Sequence, residues 1–349
     1  MIELLRELVE LESPTGDTAA MRDRMADELR VLGGRVFFDG EHVRADFPGD
    51  GAPLVLLGHL DTVWPRGTLA RMPWRVEGGR AFGPGVFDMK GGLVVMVEAV
   101  RLANTAHALR VLLTADEEIG SPTAREPIAR VADGAAAALV CEPPTPSGNL
   151  KTARKGLGRF KLTITGQPAH AGDPGDGASA IQELARLTLR LHALTDNERG
   201  VSANVGIVAG GTRENVVAAE ATAWIDVRVP TLDERDRLER LVCTLEPETP
   251  GTSIAVEGGW TRPPLERSEG STVLFQRARE HGLALGLDLR ETSAAGGSDG
   301  NLIGGLGVPV LDGLGAEGAG SHAEREHVLV DSLSIRAQLL AAILRDPGL

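Results

Sequence analysis

Tyrosine is absent from the 349 residues, and aromatic side chains make up only 3% of them. No phenol is therefore available as proton donor or oxyanion partner to any chemistry the chain performs. Cysteine is scarce too. Cys141 and Cys243 stand in apolar, strand-like and helix-like contexts without paired spacing, which argues against a disulfide framework or a thiolate zinc site. Both are expected as buried small hydrophobes. No long basic run offsets a balance of 36 basic against 49 acidic residues, net −13. Nucleic acid and an anionic membrane are thereby disfavoured as partners, and a soluble body is favoured. No apolar run approaches the roughly 20 residues of a membrane span. The opening segment 1–12 carries Ile2, Leu5, Leu8 and Val9 at helical spacing among acids, an amphipathic surface helix and not a signal peptide, so a cytoplasmic location is expected.

What is present is alternation. Strands are predicted near 35–38, 43–47, 53–57, 109–114 and 137–141, separated by helices over 17–32 and 92–103, the first stopping on Gly33 and Gly34. This pattern argues an α/β fold with a mainly parallel sheet covered by helices on both faces. From Gly158 the pattern changes to strand, helix, strand, strand, helix, strand, over 159–165, 177–194, 202–208, 220–229, 232–245 and 252–257. Apolar and polar residues alternate there, as in Arg159 to Ile164, so one sheet face is wet, and an inserted α+β domain of the split βαβ, ferredoxin-like type is expected. The α/β pattern resumes with a helix over 272–282, a strand over 308–312 and a helix over 333–344. The expected division is a catalytic domain of 1–155 and 265–349 and an inserted domain of 156–264.

Acids and histidines gather where the first domain's strands end: His59 and Asp61, Glu117 and Glu118, Glu142, together with Asp88 and His322 in glycine-rich loops. Ligands of open α/β sheets bind outside the carboxyl ends of the strands. Nitrogen and oxygen donors converging there suit zinc or a similar divalent ion, and the set is large enough for two. Each residue alone has a plainer reading. A His and an Asp after a strand form an ordinary polar strand end, and Asp88 before an apolar helix reads as an N-cap. The adjacent Glu117 and Glu118 are more telling, because neighbouring carboxylates repel and a cation settles them. His42, His107, His192, His281 and His327 are expected on surface elements as ordinary polar residues. Two further patterns compete. Gly296-Gly297-Ser298-Asp299-Gly300 matches a nucleophile elbow, with Asp312 and His322 following in hydrolase order, but neither a strong strand before Ser298 nor a clean helix after it is expected. Gly313 to Gly318 matches a dinucleotide loop in the wrong context and is read as a loop.

The run Gly58 to Gly92, with TADEEIGS (114–121), CEP (141–143), PAHAG (168–172), DVR (226–228), GGSDG (296–300) and the loop at His322, resembles the zinc aminoacylase and carboxypeptidase family. That family includes glutamate carboxypeptidase, acetylornithine deacetylase and succinyl-diaminopimelate desuccinylase, and the likeness to the glutamate carboxypeptidase branch is greatest. The resemblance implies two Zn2+ per subunit, replaceable by Co2+ or Mn2+, one held by His59, Asp88 and Glu142 and the other by Asp88, Glu118 and His322. It implies Glu117 as general base, Asp61 as brace of His59, and a cis peptide after Asp88. It further implies a homodimer through the inserted lid domain, His170 acting in the partner's active site, and Asn215, Arg228, Arg262 and Gly297 as contacts to a substrate carboxylate. The expected activity is removal of a C-terminal, glutamate-like amino acid from an N-acyl amino acid or short peptide. Glu142, where dipeptidase branches tend to use aspartate, favours this or an N-acyl amino acid deacylase. From other classes, a serine esterase using Ser298 and a metal-free binding protein remain as alternatives.

Overall fold

A computed structural model describes residues 1–349. The chain divides into two compact units, one of 1–153, 266–294 and 298–349, the other of 154–265 and 295–297.

The first unit is built on an eight-stranded sheet in the order Arg35–Asp39, His42–Phe47, His107–Thr114, Asp50–His59, Ala137–Val140, Val310–Asp312, Leu150–Arg154, Glu291–Ala294. The third to sixth of these strands run parallel. Antiparallel pairs flank them. The parallel strands read as continuous apolar runs because both faces are covered. Leu54, Leu56, Val111, Leu113 and Leu139 point into the main core with the helices Gly91–Ala103 and Val330–Arg345. Val55, Leu57, Leu112, Ala138 and Val140, equally buried, alternate to the other face, where the helices Arg125–Ala132 and Asp299–Gly304 lie. The opening helix Ile2–Glu10 seals Leu5, Leu8 and Val9 against this core.

The second unit is an antiparallel four-stranded sheet, ordered Ser202–Gly210, Glu220–Val229, Gly156–Thr165, Ser253–Arg262. Numbered along the chain this is 2-3-1-4, the split βαβ arrangement. Phe160, Leu162, Ile164, Ala223, Ile225 and Val227 turn one face to the helices Ala180–His192 and Leu232–Cys243. Each helix starts on a capping hydroxyl, Ser179 or Thr231, that accepts a main-chain N–H.

Four departures from sequence expectation stand out. A small antiparallel sheet of Gly318–Ala319, His327–Leu329, Arg80–Phe82 and Arg75–Glu77 has strands too short to leave a periodicity. His42 is buried, because it begins an inner strand and its Nδ1 accepts the Ala115 N–H (3.1 Å). Cys243 is exposed at the end of its helix, on the face turned away from Leu238 and Val242. A short helix, Asp299–Gly304, does follow Ser298.

Candidate metal centre

The parallel strands place their carboxyl ends on one edge. His59 is the last residue of its strand, Glu117 and Glu118 form a tight turn Glu117–Ile119 just after Thr114, and Glu142 follows Val140. Asp88 arrives in the segment Val86–Lys90 ahead of the buried helix. It is not that helix's N-cap, which is Lys90, and the Asp88–Met89 peptide is cis. Glycine permits the close approach: a Cβ on Gly92 would lie 2.0 Å from the Cys141 carbonyl oxygen, so only a bare helix start fits against the chain between Val140 and Glu142. His322 sits at φ 61 between Gly320 and the strand His327–Leu329.

Two triads result, His59 with Asp88 and Glu142, and Asp88 with Glu118 and His322, the donor atoms of each lying within 4.8 Å of one another. Asp88 belongs to both. Its Oδ1 lies 3.2 Å from His59 Nε2 and its Oδ2 lies 3.5 Å from His322 Nε2. Glu142 Oε1 is 3.5 Å from His59 Nε2, and Glu118 Oε2 is 3.4 Å from His322 Nε2. Two donors about 2.1 Å from a common ion at a tetrahedral angle are themselves about 3.4 Å apart, so this spacing suits a shared cation better than a tight charge-assisted hydrogen bond. Glu118 Oε1 is buried without a hydrogen-bond partner. An orphaned carboxylate oxygen inside an acid-rich cluster is the local signature of a missing positive charge.

Electrostatics agree. Burial pushes the His59 imidazole down, but hydrogen bonding to Asp61 and Asp88 and the charges of Glu142 and Glu117 outweigh it and hold its pKa well above the usual value. Hydrogen bonds to Asp88 and Glu118 push His322 up to about 10. Burial opposes ionisation of Asp88, yet both histidines hold it well below the usual carboxylate range. The acids around both imidazoles thus favour positive charge at this place.

Asp61 faces His59 with both its main chain and its side chain. The shorter contact of His59 Nδ1 is to the Asp61 main-chain oxygen (2.9 Å), with the carboxylate at 3.4 Å. Nδ1 therefore carries a hydrogen in either protonation state, and Nε2 is the ring nitrogen that faces the acids and is left to bind a cation when the ring is neutral. The Asp61 carboxylate accepts the N–H groups of Glu117 (3.1 Å) and Glu118 (3.2 Å) and the Thr15 hydroxyl (2.7 Å). It holds the turn that carries both glutamates.

The remaining sequence candidates lie in the second unit, in two groups. His170 is exposed and pairs across a β-bridge with Val216, while Asn215 accepts the Ala171 N–H (3.0 Å). His170 Nδ1 accepts from Gly172 N (3.0 Å), so in the neutral ring Nε2 carries the proton. Arg228, Arg262 and Gly297 form the other group. Arg228 bonds Asp226 through Nε (2.8 Å) and the Ala295 carbonyl through Nη1 (3.0 Å). Arg154 Nη1 donates to the carbonyls of Gly296 (3.0 Å) and Gly297 (3.2 Å), and a Cβ on Gly297 would meet the buried Arg262 side chain at 2.7 Å. These contacts explain why Ala295–Gly297 belongs to this unit.

The serine alternative fails on geometry. Ser298 is fully buried, its hydroxyl donates to Asp312 Oδ2 (2.7 Å) and accepts from Gly300 N, and His322 is engaged with Asp88 and Glu118 instead. The segment after Val310–Asp312 is a loop, and buried Arg336 donates to its Gly313 and Gly315 carbonyls. Thr15, Glu326 and Arg154 carry no signal in the sequence, and His42 reads there as a surface residue. Nothing local distinguishes them from neighbouring polar residues.

A two-unit α/β fold with a donor-rich edge on its parallel sheet is the layout of a metal-dependent hydrolase. The chain belongs to the peptidase family M20/M25/M40, whose family pattern matches residues 55–346. It is 32% identical to carboxypeptidase G2 of Pseudomonas sp. (strain RS-16) over 100% of this chain and 89% of that protein. It is 28% identical to succinyl-diaminopimelate desuccinylase of Halorhodospira halophila over 99% and 97%. In fold it superimposes on the crystal structure of aminopeptidase PepT from Bacillus cereus with a TM-score of 0.84 at 23% identity, covering 100% of this chain and 98% of that one. The resemblance seen in the motifs is thus borne out, and the protein is a peptidase or amidohydrolase of this family. No helix is long and apolar enough to cross a membrane.

Proposed function

We propose that the protein is a dinuclear divalent-cation carboxypeptidase that releases a C-terminal, glutamate-like amino acid from an N-acyl or peptidyl substrate. The observation that carries this reading is Asp88, whose two oxygens face two different histidines in two donor triads. His59, Asp88 and Glu142 would hold one Zn2+, and Asp88, Glu118 and His322 the other, with Co2+ or Mn2+ as substitutes. Cations there supply positive charge that acidifies water and makes an amide carbonyl carbon more electrophilic.

The chain's own residues do the rest. Glu117, its N–H fixed to Asp61, takes a proton from the attacking water and returns it to the departing amine nitrogen as the C–N bond breaks. His170 has Nε2–H available to donate to the developing oxyanion. Arg228 and Arg262 offer guanidinium forks, and Asn215 and Gly297 further contacts, to the substrate carboxylate. We infer a homodimer through the second unit, whose edge strand Ser202–Gly210 exposes Ile207 (60%) and Val208 (57%). A net charge of −13 disfavours nucleic acid as a partner.

Likeness to a carboxypeptidase along the whole chain supports the peptidase reading. Likeness to a desuccinylase along nearly all of it supports a second, an N-acyl amino acid deacylase. The test is hydrolysis of N-acyl and N-benzoyl amino acids, glutamate derivatives foremost, by Zn2+-loaded enzyme with and without chelator, beside Glu117→Ala. Release that chelator suppresses and Glu117→Ala lowers by roughly 10²- to 10⁴-fold is expected. Dependence on the released side chain supports the carboxypeptidase, and dependence on the acyl group the deacylase. Turnover surviving both treatments contradicts the mechanism.

A further inference from the structure

One carboxylate outside both triads joins the two loops that supply their shared and terminal members. Glu326 follows His322 in the same loop, is fully buried, and leads into the strand His327–Leu329, which pairs with Arg80–Phe82 just ahead of Asp88. Its Oε1 accepts the N–H groups of Phe87 (2.9 Å) and Asp88 (3.0 Å). Its Oε2 accepts Gly85 N–H (3.0 Å) and the Trp64 indole N–H (2.8 Å). All four partners are donors and none can accept. Only a group with two acceptor oxygens satisfies them, so an amide in its place would set an NH2 against two N–H groups.

We propose that Glu326 is a positioning residue for cation binding: through the main chain of Gly85 to Asp88 it holds Asp88 in register with the His322 loop. The inference rests on the reading of Asp88 as the shared ligand. Ordering a donor before the ion arrives removes the cost of ordering it at binding, and loss of such supporting contacts weakens metal sites roughly 10- to 100-fold. Glu324 is the internal control. It lies in the same loop, is exposed, and pairs with Arg71 at the surface.

The experiment is Zn2+ affinity of the full chain by competition with a chromophoric chelator, with the fold of each metal-free variant checked by circular dichroism. Glu326→Gln is expected to weaken Zn2+ binding by roughly 10- to 100-fold with secondary structure retained, and Glu324→Gln to leave it unchanged. Adding Trp64→Phe to Glu326→Gln removes one of the opposed N–H groups and is expected to recover part of the loss. Wild-type affinity in Glu326→Gln, an equal loss in Glu324→Gln, or no recovery in the double variant would overturn the assignment. Should Glu326→Gln not fold, Trp64→Phe alone is expected to cost roughly two- to tenfold, and no loss there overturns it. A wild-type chain that binds no Zn2+ at all would instead refute the metal-centre reading beneath it.

Discussion

In the first unit, the acids at the strand ends face histidines and one another, and Glu118 Oε1 has no hydrogen-bond partner. In the second, buried Glu183 accepts the N–H groups of Glu248 (3.1 Å) and Thr249 (2.6 Å), and Arg154 donates to the carbonyls of Gly296 and Gly297. The difference is between charge awaiting a partner and charge already partnered by the fold. The pKa directions follow it. His59 and His322 are raised by the acids around them. For Glu183, burial raises the carboxyl, but hydrogen bonds from Thr249 and Glu248 outweigh it and lower its pKa. A site that binds an ion is legible as incompleteness, and a structural charge as completeness.

The comparison can be broken most forcefully at Asp88. Asp88→Asn keeps the shape but removes the charge that both triads share, and cation affinity is expected to fall by more than the roughly 100-fold typical of supporting contacts. An unchanged affinity in equilibrium dialysis would mean that the triads are not joined. A smaller effect is expected at Arg228→Lys, which loses the fork that grips Asp226 and the Ala295 carbonyl. KM for an N-acyl glutamate should rise roughly tenfold with cation content unchanged. If KM stays constant, Arg228 serves the fold alone. Smallest in its effect on turnover is Glu183→Gln. It should lower stability by roughly 1–3 kcal/mol at neutral pH without altering cation content. A depressed folded pKa means that stability is present above the unfolded carboxylate pKa and lost as pH falls through the folded one. The gap between wild type and Glu183→Gln should therefore close in acid, as followed by thermal melts across pH. A gap that widens in acid would reverse the sign.

Much of this was readable beforehand, for identifiable reasons. Strands buried on both faces leave continuous apolar runs, and those covered on one face alternate, so the two sheets announce themselves differently. The donors His59, Glu117, Glu118 and Glu142 stood out because each follows such a run. Asp88 and His322 stood out through glycine-rich loops and family likeness. Long-range polar pairing was not legible. Asp61 holding the Glu117–Glu118 turn, His42 under Ala115 and Glu326 beneath Asp88 are contacts between distant segments, and no local period marks which polar residue of a loop turns inward. The short strands around Arg80–Phe82 and His327–Leu329 were hidden for a related reason, since three residues cannot display a pattern.

The central claim is a pair of cation positions joined by Asp88. It is tested most directly by counting divalent ions per chain: metal-free protein is reloaded with Zn2+, dialysed and measured by inductively coupled plasma mass spectrometry beside Asp88→Asn. Two ions per wild-type chain, with fewer retained by Asp88→Asn, is the predicted result. No bound ion in the wild type, or equal retention by Asp88→Asn, would contradict it.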